Sequence, residues 1–171
     1  MFVSFWMVQR LTRELNELQK EMLDKHTELE HYSRYSGRLG GTANLSISNL
    51  AGLSSEILPR ASLFAQYADQ ASSMSAMQNL QMMQMMGRVP YTGNQMVDMQ
   101  IQMSAYNQFK QEALKALKQQ EVAILNEREK EIELELNSIK QRYEMKKQQL
   151  EAYKQQAKDD ARKAVPNFDS R

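Results

Sequence analysis

The sequence predicts an all-α fold: an elongated helical hairpin or coiled coil with one helix of about seventy residues, from about 93 to 164, and two shorter helices packed along it. Three observations predict it. Ala, Leu, Gln, Glu, Lys and Met, all good helix formers, dominate the 171 residues, and β-branched residues are sparse. After Gly93 neither glycine nor proline interrupts the chain until Pro166, which cannot continue a helix. Apolar residues recur at alternating spacings of three and four, the period of a heptad seam.

The first element is an amphipathic helix over 1–36 with an apolar tip. Val8, Leu11, Leu15, Leu18, Met22, Leu29 and Tyr32 form its seam, and Lys25 is the one polar break. Glu14, Glu17, Glu21 and Arg13 cover the other faces. The tip, with Phe2, Phe5 and Trp6, is too apolar to leave in water. It reads as a plug into a neighbouring subunit. Contact between residues 1–8 and a membrane surface is the less favoured reading, because the stretch is short and lacks flanking lysines.

Residues 37–58 are a charge-poor Gly/Ser/Asn linker, with Gly37, Gly40 and Gly41 ending the first helix and a short helix expected from about Ser48 to Leu58. Pro59 is suited to the first turn of the next helix, a Met-rich segment over 59–86 that stops at Gly87. Between 37 and 93 there are five charged residues, against 27 in the following 78, so this segment is the one expected to be buried by partners. The loop 87–93 makes the flanking helices antiparallel neighbours. Folding about it brings Met86 near Asn94, Met82 near Met99 and Met77 near Met103, so the methionines of both arms are expected to meet at one end of the helical hairpin. Nine of the 13 methionines lie between 74 and 103.

The last element, a coiled-coil helix over 94–165, opens with Thr92-Gly93-Asn94-Gln95, a pattern that reads as a capping box from Thr92. Its later half carries a seam of Val122, Leu125, Ile132, Leu136, Ile139, Tyr143, Leu150, Tyr153 and Ala157, which Glu129 and Lys146 interrupt. Upstream, Met99, Met103, Tyr106, Ala113, Leu117 and Ile124 form an offset seam, so the phase slips near 117–125 in the manner of a stutter. The slip reads as a handover between two packing partners. The first helix, running antiparallel, would begin near 150–160 and end near 125, with Lys20 and Lys25 passing the run Glu127 to Glu135. Residues 166–171 form a tail.

Few chemical functions are supported. A net charge of +1 gives no general electrostatic grip on nucleic acid, so none is expected as a partner. The absence of cysteine excludes disulfides and thiolate chemistry. Glu28 and His31 have the Glu-x-x-His spacing of di-iron bundles but lack the further carboxylates, so no metal site is expected. No phosphate loop is present, and almost every carboxylate sits on a helix surface rich in Lys and Gln, so no cofactor and no enzymatic activity are expected. No stretch is apolar enough to cross a membrane and no cleavable signal is visible. Cytoplasm, a virion or export by a signal-independent route are the compartments expected.

The function expected is that of a non-enzymatic structural subunit of a bacterial or phage assembly, in the manner of a secretion, appendage or virion component. It would homo-oligomerise and meet other protein subunits through Phe2, Phe5, Trp6, Leu11, Leu15, Leu18, Met77, Met82, Met86, Met99, Met103, Leu125, Ile132, Leu136, Ile139, Tyr143 and Leu150. Two alternatives stand beside it. One is a chaperone or scaffolding protein whose methionines hold apolar helical clients. The other is a peripheral membrane adaptor anchored by residues 1–8.

Overall fold

Three α-helices account for the structure, a computed structural model that describes residues 2–41 and 52–164. They are α1 (Phe2–Gly40), α2 (Leu58–Met85) and α3 (Gln95–Ala164), with no strand among the described residues. The all-helical class follows the composition. Of the short helix expected from about Ser48 to Leu58, residues 48–51 lie outside the described residues, and 52–57 are turn and bend rather than helix, which corrects the sequence reading. In that turn the Ile57 and Leu58 amides both donate to the Ser54 carbonyl at 3.2 and 3.0 Å.

The helix bounds differ from the sequence reading in one informative place. α1 does not end at 36 but continues to Gly40, through Gly37. An internal glycine costs a helix about 1 kcal/mol relative to alanine. Here Tyr35 and Leu39 are buried on either side of it, against Ile57, Ala61 and Leu125, and that burial outweighs the propensity.

The chain forms two compact units. One comprises Met1–Glu30 with Lys130–Arg171 and the other His31–Glu129, so α1 and α3 contribute to both.

In the first unit α1 and α3 run antiparallel. Leu11, Leu15 and Leu150 are buried together, with Val8, Tyr143 and Tyr153 packed on them. Polar contacts on the flanks fix the register. Ser4 Oγ donates to Asp160 Oδ2 (3.2 Å), Lys146 Nζ meets Glu14 Oε2 (2.7 Å), Arg142 meets Glu21 (3.4 Å) and Lys25 Nζ meets Glu135 Oε2 (2.6 Å). The α3 seam from Ile132 through Leu136, Ile139 and Leu150 is buried at the positions the spacing assigns. Where lysine falls on the seam, a carboxylate answers it. Lys25 binds Glu135 and Glu28 together, and those bonds hold its ammonium pKa above the ordinary value.

The second unit is built around Tyr35, Leu39, Ile57, Ala61 and Leu125, with Tyr32, Leu53, Phe64, Ala65 and Val122 packed around them. Ser36 Oγ donates to Asn126 Oδ1 (3.2 Å), the α1–α3 pairing of this unit. α2 and α3 are antiparallel, with Arg60 on Glu121 (2.7 Å) and Lys110 on Asp69 (2.9 Å). The tight turn between them is capped at both ends. Gly87 adopts φ +64°, and Arg88 N donates to the Met83 carbonyl while Gly87 N donates to that of Gln84, the paired bonds of a Schellman stop.

The start of α3 corrects the sequence reading. Thr92 is not the cap, because Gly93 at φ +78° turns the chain away from the helix first. Asn94 is the cap, its Oδ1 accepting from the Met96 amide at 3.1 Å. The Thr92 amide and hydroxyl both donate to Asp98 Oδ1, at 2.8 and 2.7 Å, and hold the Asp98 carboxyl below the usual carboxylate range.

Candidate interaction surface

α2 is apolar on two sides, and the side that packs inward is the smaller one. Ala61, Ala68, Ser72 and Ala76 are buried along one stripe at helical spacing, and Ala61 belongs to the cluster that includes Leu125 of α3. Leu63, Tyr67, Met74, Met77 and Met85 recur on the opposite side and are all exposed. A stripe of small residues lets two helices approach closely, which leaves no room between them for thioethers. The methionines of the two arms accordingly stand at the surface near the turn, with Met77, Met82, Met86, Met99 and Met103 exposed. The ion pairs Arg60–Glu121 and Lys110–Asp69 agree with the expected register, but the side chains point outward.

The exposed apolar area continues around the turn onto α3. Met82, Met85, Met86, Tyr91, Met96, Val97, Met99 and Met103 are all exposed, with Met85 at 83 % and Tyr91 at 87 %. α2 carries only two charged residues between 58 and 85, Arg60 and Asp69, and both pair with α3. Asp98, the acid nearest the turn, is buried and engaged by Thr92. Large contiguous apolar patches on a folded surface mark sites of association, whereas single exposed hydrophobes do not.

The sequence-predicted interface residues thus divide into two sets. Leu11, Leu15, Leu125, Ile132, Leu136, Ile139 and Leu150 are buried, and Leu18 and Tyr143 are half-buried, within the single chain. Their apolar area is covered without a partner. Met77, Met82, Met86, Met99 and Met103 remain exposed, as do Phe5 and Trp6. The Phe2 side chain lies outside the described residues. The Arg10 guanidinium sits 5.6 Å from the Trp6 ring centroid, a cation–π contact that covers one side of the indole.

Leu63, Tyr67, Met74, Met85, Tyr91 and Met96 extend the exposed surface beyond that set. The signal that could have found them is that α2 has more apolar positions than one buried face can take.

Little at this surface suggests bond-making chemistry. Among the described residues no three His, Asp or Glu side chains converge as a metal site, and Glu28 of the Glu-x-x-His pattern accepts a hydrogen bond from Lys25 at 2.9 Å. Among the described residues no helix is long and apolar enough to cross a membrane. No protein-family model, curated protein or solved structure matches the chain.

Proposed function

We propose that this chain is a non-enzymatic structural subunit that self-associates through the outward face of α2 and the adjoining start of α3. The observation that carries the reading is the two-sided apolarity of α2. Its small residues are spent on the intramolecular contact and its large ones stand in water. Burying a leucine, methionine or tyrosine of this kind is worth roughly 1.5–3 kcal/mol per side chain, so a handful of them suffices to drive association. In this reading the α1–α3 seam is an intramolecular coiled coil that gives each subunit a stiff body. The methionine face supplies lateral contacts, and the Phe5–Trp6 tip supplies a terminal one. A bacterial or phage assembly, such as a secretion, appendage or virion component, is the setting this combination suits.

Sedimentation across a wide concentration range tests the proposal. The wild-type chain should form large or discrete oligomers, and the variant Leu63→Gln/Tyr67→Ser/Met74→Gln should keep its helicity while shifting to smaller species. A wild-type monomer at every concentration would end the reading.

The same exposed thioethers favour a second reading, a chaperone-like surface for apolar helical clients, because methionine adapts to varied partners. Suppression of client aggregation by small oligomers, lost in the same triple variant, distinguishes it from self-assembly.

A further inference from the structure

The first unit holds an apolar groove beside its seam. α1 contributes Asn16, Gln19, Lys20, Met22, Leu23 and His26, α3 contributes Leu136 and Lys140, and the groove has a volume of about 550 Å³. Leu23 is 66 % exposed there, the only exposed large apolar residue of α1 outside the N-terminal tip. The titratable groups that line the groove are Lys20, Lys140 and His26, with no carboxylate among them. It is an apolar floor with a basic rim.

The matching chemistry lies on α3 of the same unit. Leu134 is 69 % exposed, although it sits within the most acidic stretch of the chain. Residues 127–135 carry five glutamates against Arg128 and Lys130. The α3 seam passes through Ile132, Leu136 and Ile139, and at 100° per residue Leu134 falls on the side opposite to it. Glu127 and Glu131, seven and three residues before Leu134, share that outward face with Lys130, four before it, and Glu133 borders it, so carboxylates outnumber the one lysine. An exposed leucine flanked by carboxylates is complementary in shape class and in charge to an exposed leucine flanked by lysines.

We propose that the Leu23 groove docks the Leu134 face of a second copy of this chain, with Lys20 and Lys140 meeting the glutamates around Leu134. The groove and the face that fills it are different patches of the subunit. The contact is therefore heterologous, and it repeats from copy to copy unless the rotation closes a ring. This inference rests on the structural-subunit reading, and it names a contact separate from the methionine face.

Sedimentation velocity on the full chain tests it. Leu23→Gln and Leu134→Gln are both surface changes, so helicity by circular dichroism should stay at the wild-type value. Each should weaken association by roughly tenfold or more. Lys20→Glu/Lys140→Glu and Glu131→Lys/Glu133→Lys should each weaken it too, and rising salt should weaken the wild type.

Mixing the two charge variants restores a wild-type groove-to-face contact in one direction and a charge-swapped, complementary one in the other. The mixture should gain a paired species that neither variant forms alone. Combining all four substitutions in one chain should restore association, because the charges are then complementary again. Wild-type assemblies that persist unchanged in Leu23→Gln and Leu134→Gln overturn this contact and leave the structural-subunit reading standing. A wild-type chain that is monomeric throughout overturns both. Recovery in neither the mixture nor the fourfold variant overturns the pairing of Lys20 and Lys140 with the glutamates.

Discussion

The α1–α3 seam of the first unit and the inner face of α2 in the second solve the same packing problem with opposite residue sizes. In the unit formed by Met1–Glu30 and Lys130–Arg171, large aliphatic side chains such as Leu11, Leu15, Ile132 and Leu150 turn inward, and charged residues outward. In the unit His31–Glu129, the buried stripe of α2 is Ala61, Ala68, Ser72 and Ala76, with Phe64 half-buried against the Tyr35 cluster, while Leu63, Tyr67, Met74, Met77 and Met85 turn outward. The first arrangement satisfies its own hydrophobic surface within one chain. The second leaves surface unsatisfied while still holding its helices by close approach, two ion pairs and a doubly capped turn. Burial alone thus does not separate a core from an interface. What separates them is whether the larger of two apolar faces is the one turned inward.

The sharpest way to break the contrast is to truncate the first kind of core. Ile132→Ala removes a fully buried aliphatic side chain and should cost about 2–5 kcal/mol, read as a lower urea midpoint. Next, the second kind should tolerate removal outside and resist addition inside. Ala68→Leu forces extra volume into the small-residue stripe and should cost about 1–3 kcal/mol. Met74→Gln, on the exposed side of the same helix, should change stability by less than about 0.5 kcal/mol. Similar effects at both positions would show that α2 has no inner and outer face.

A smaller effect is expected at the turn. Asn94→Ala should cost about 1 kcal/mol and raise amide exchange at the start of α3. Asp98 adds a pH dependence of defined sign. Its folded pKa is depressed by the Thr92 bonds, so its contribution is fully present above the ordinary carboxylate pKa and is lost as pH falls through the lowered one. Asp98→Asn should flatten the acid side of the stability profile.

Tyr35 gives a change of the opposite sign. Its hydroxyl is buried without a hydrogen-bond partner in the protein, and burial, with the Glu121 carboxylate second, pushes its pKa above the ordinary tyrosine value. Tyr35→Phe removes that unpaired group and should be neutral or stabilising by up to about 1 kcal/mol, measured by thermal unfolding. A loss of more than that would mean the hydroxyl is engaged in solution.

Much of the architecture was legible before any coordinates. The gap between Gly93 and Pro166 marks out α3, and Gly87 with the preceding methionines marks the end of α2. The antiparallel register of α1 on α3, with Lys25 beside the glutamate run, also follows from the seams. Other features were not legible, for physical reasons. The end of α1 was misplaced because local propensity at Gly37 loses to the burial of Tyr35 and Leu39. The cap of α3 was misassigned because Thr92 and Asn94 are both good capping residues, and only the positive φ at Gly93 decides between them. The orientation of α2 was unreadable because a helix apolar on both sides has no single direction in which its pattern points. The interface residues on the seams were legible as apolar positions. Nothing in their spacing says whether this chain or another covers them.

The outward placement of the methionines also has a redox consequence. Met74, Met77, Met85, Met86, Met96, Met99 and Met103 stand within reach of a dissolved oxidant, and among the described residues no methionine belongs to the buried core. Oxidation to the sulfoxide turns an apolar side chain into a polar one, and reductases can reverse it. Mild peroxide should therefore make the α2 face hydrophilic while the helices stay folded, so the same atoms that make this surface adhesive also make it erasable.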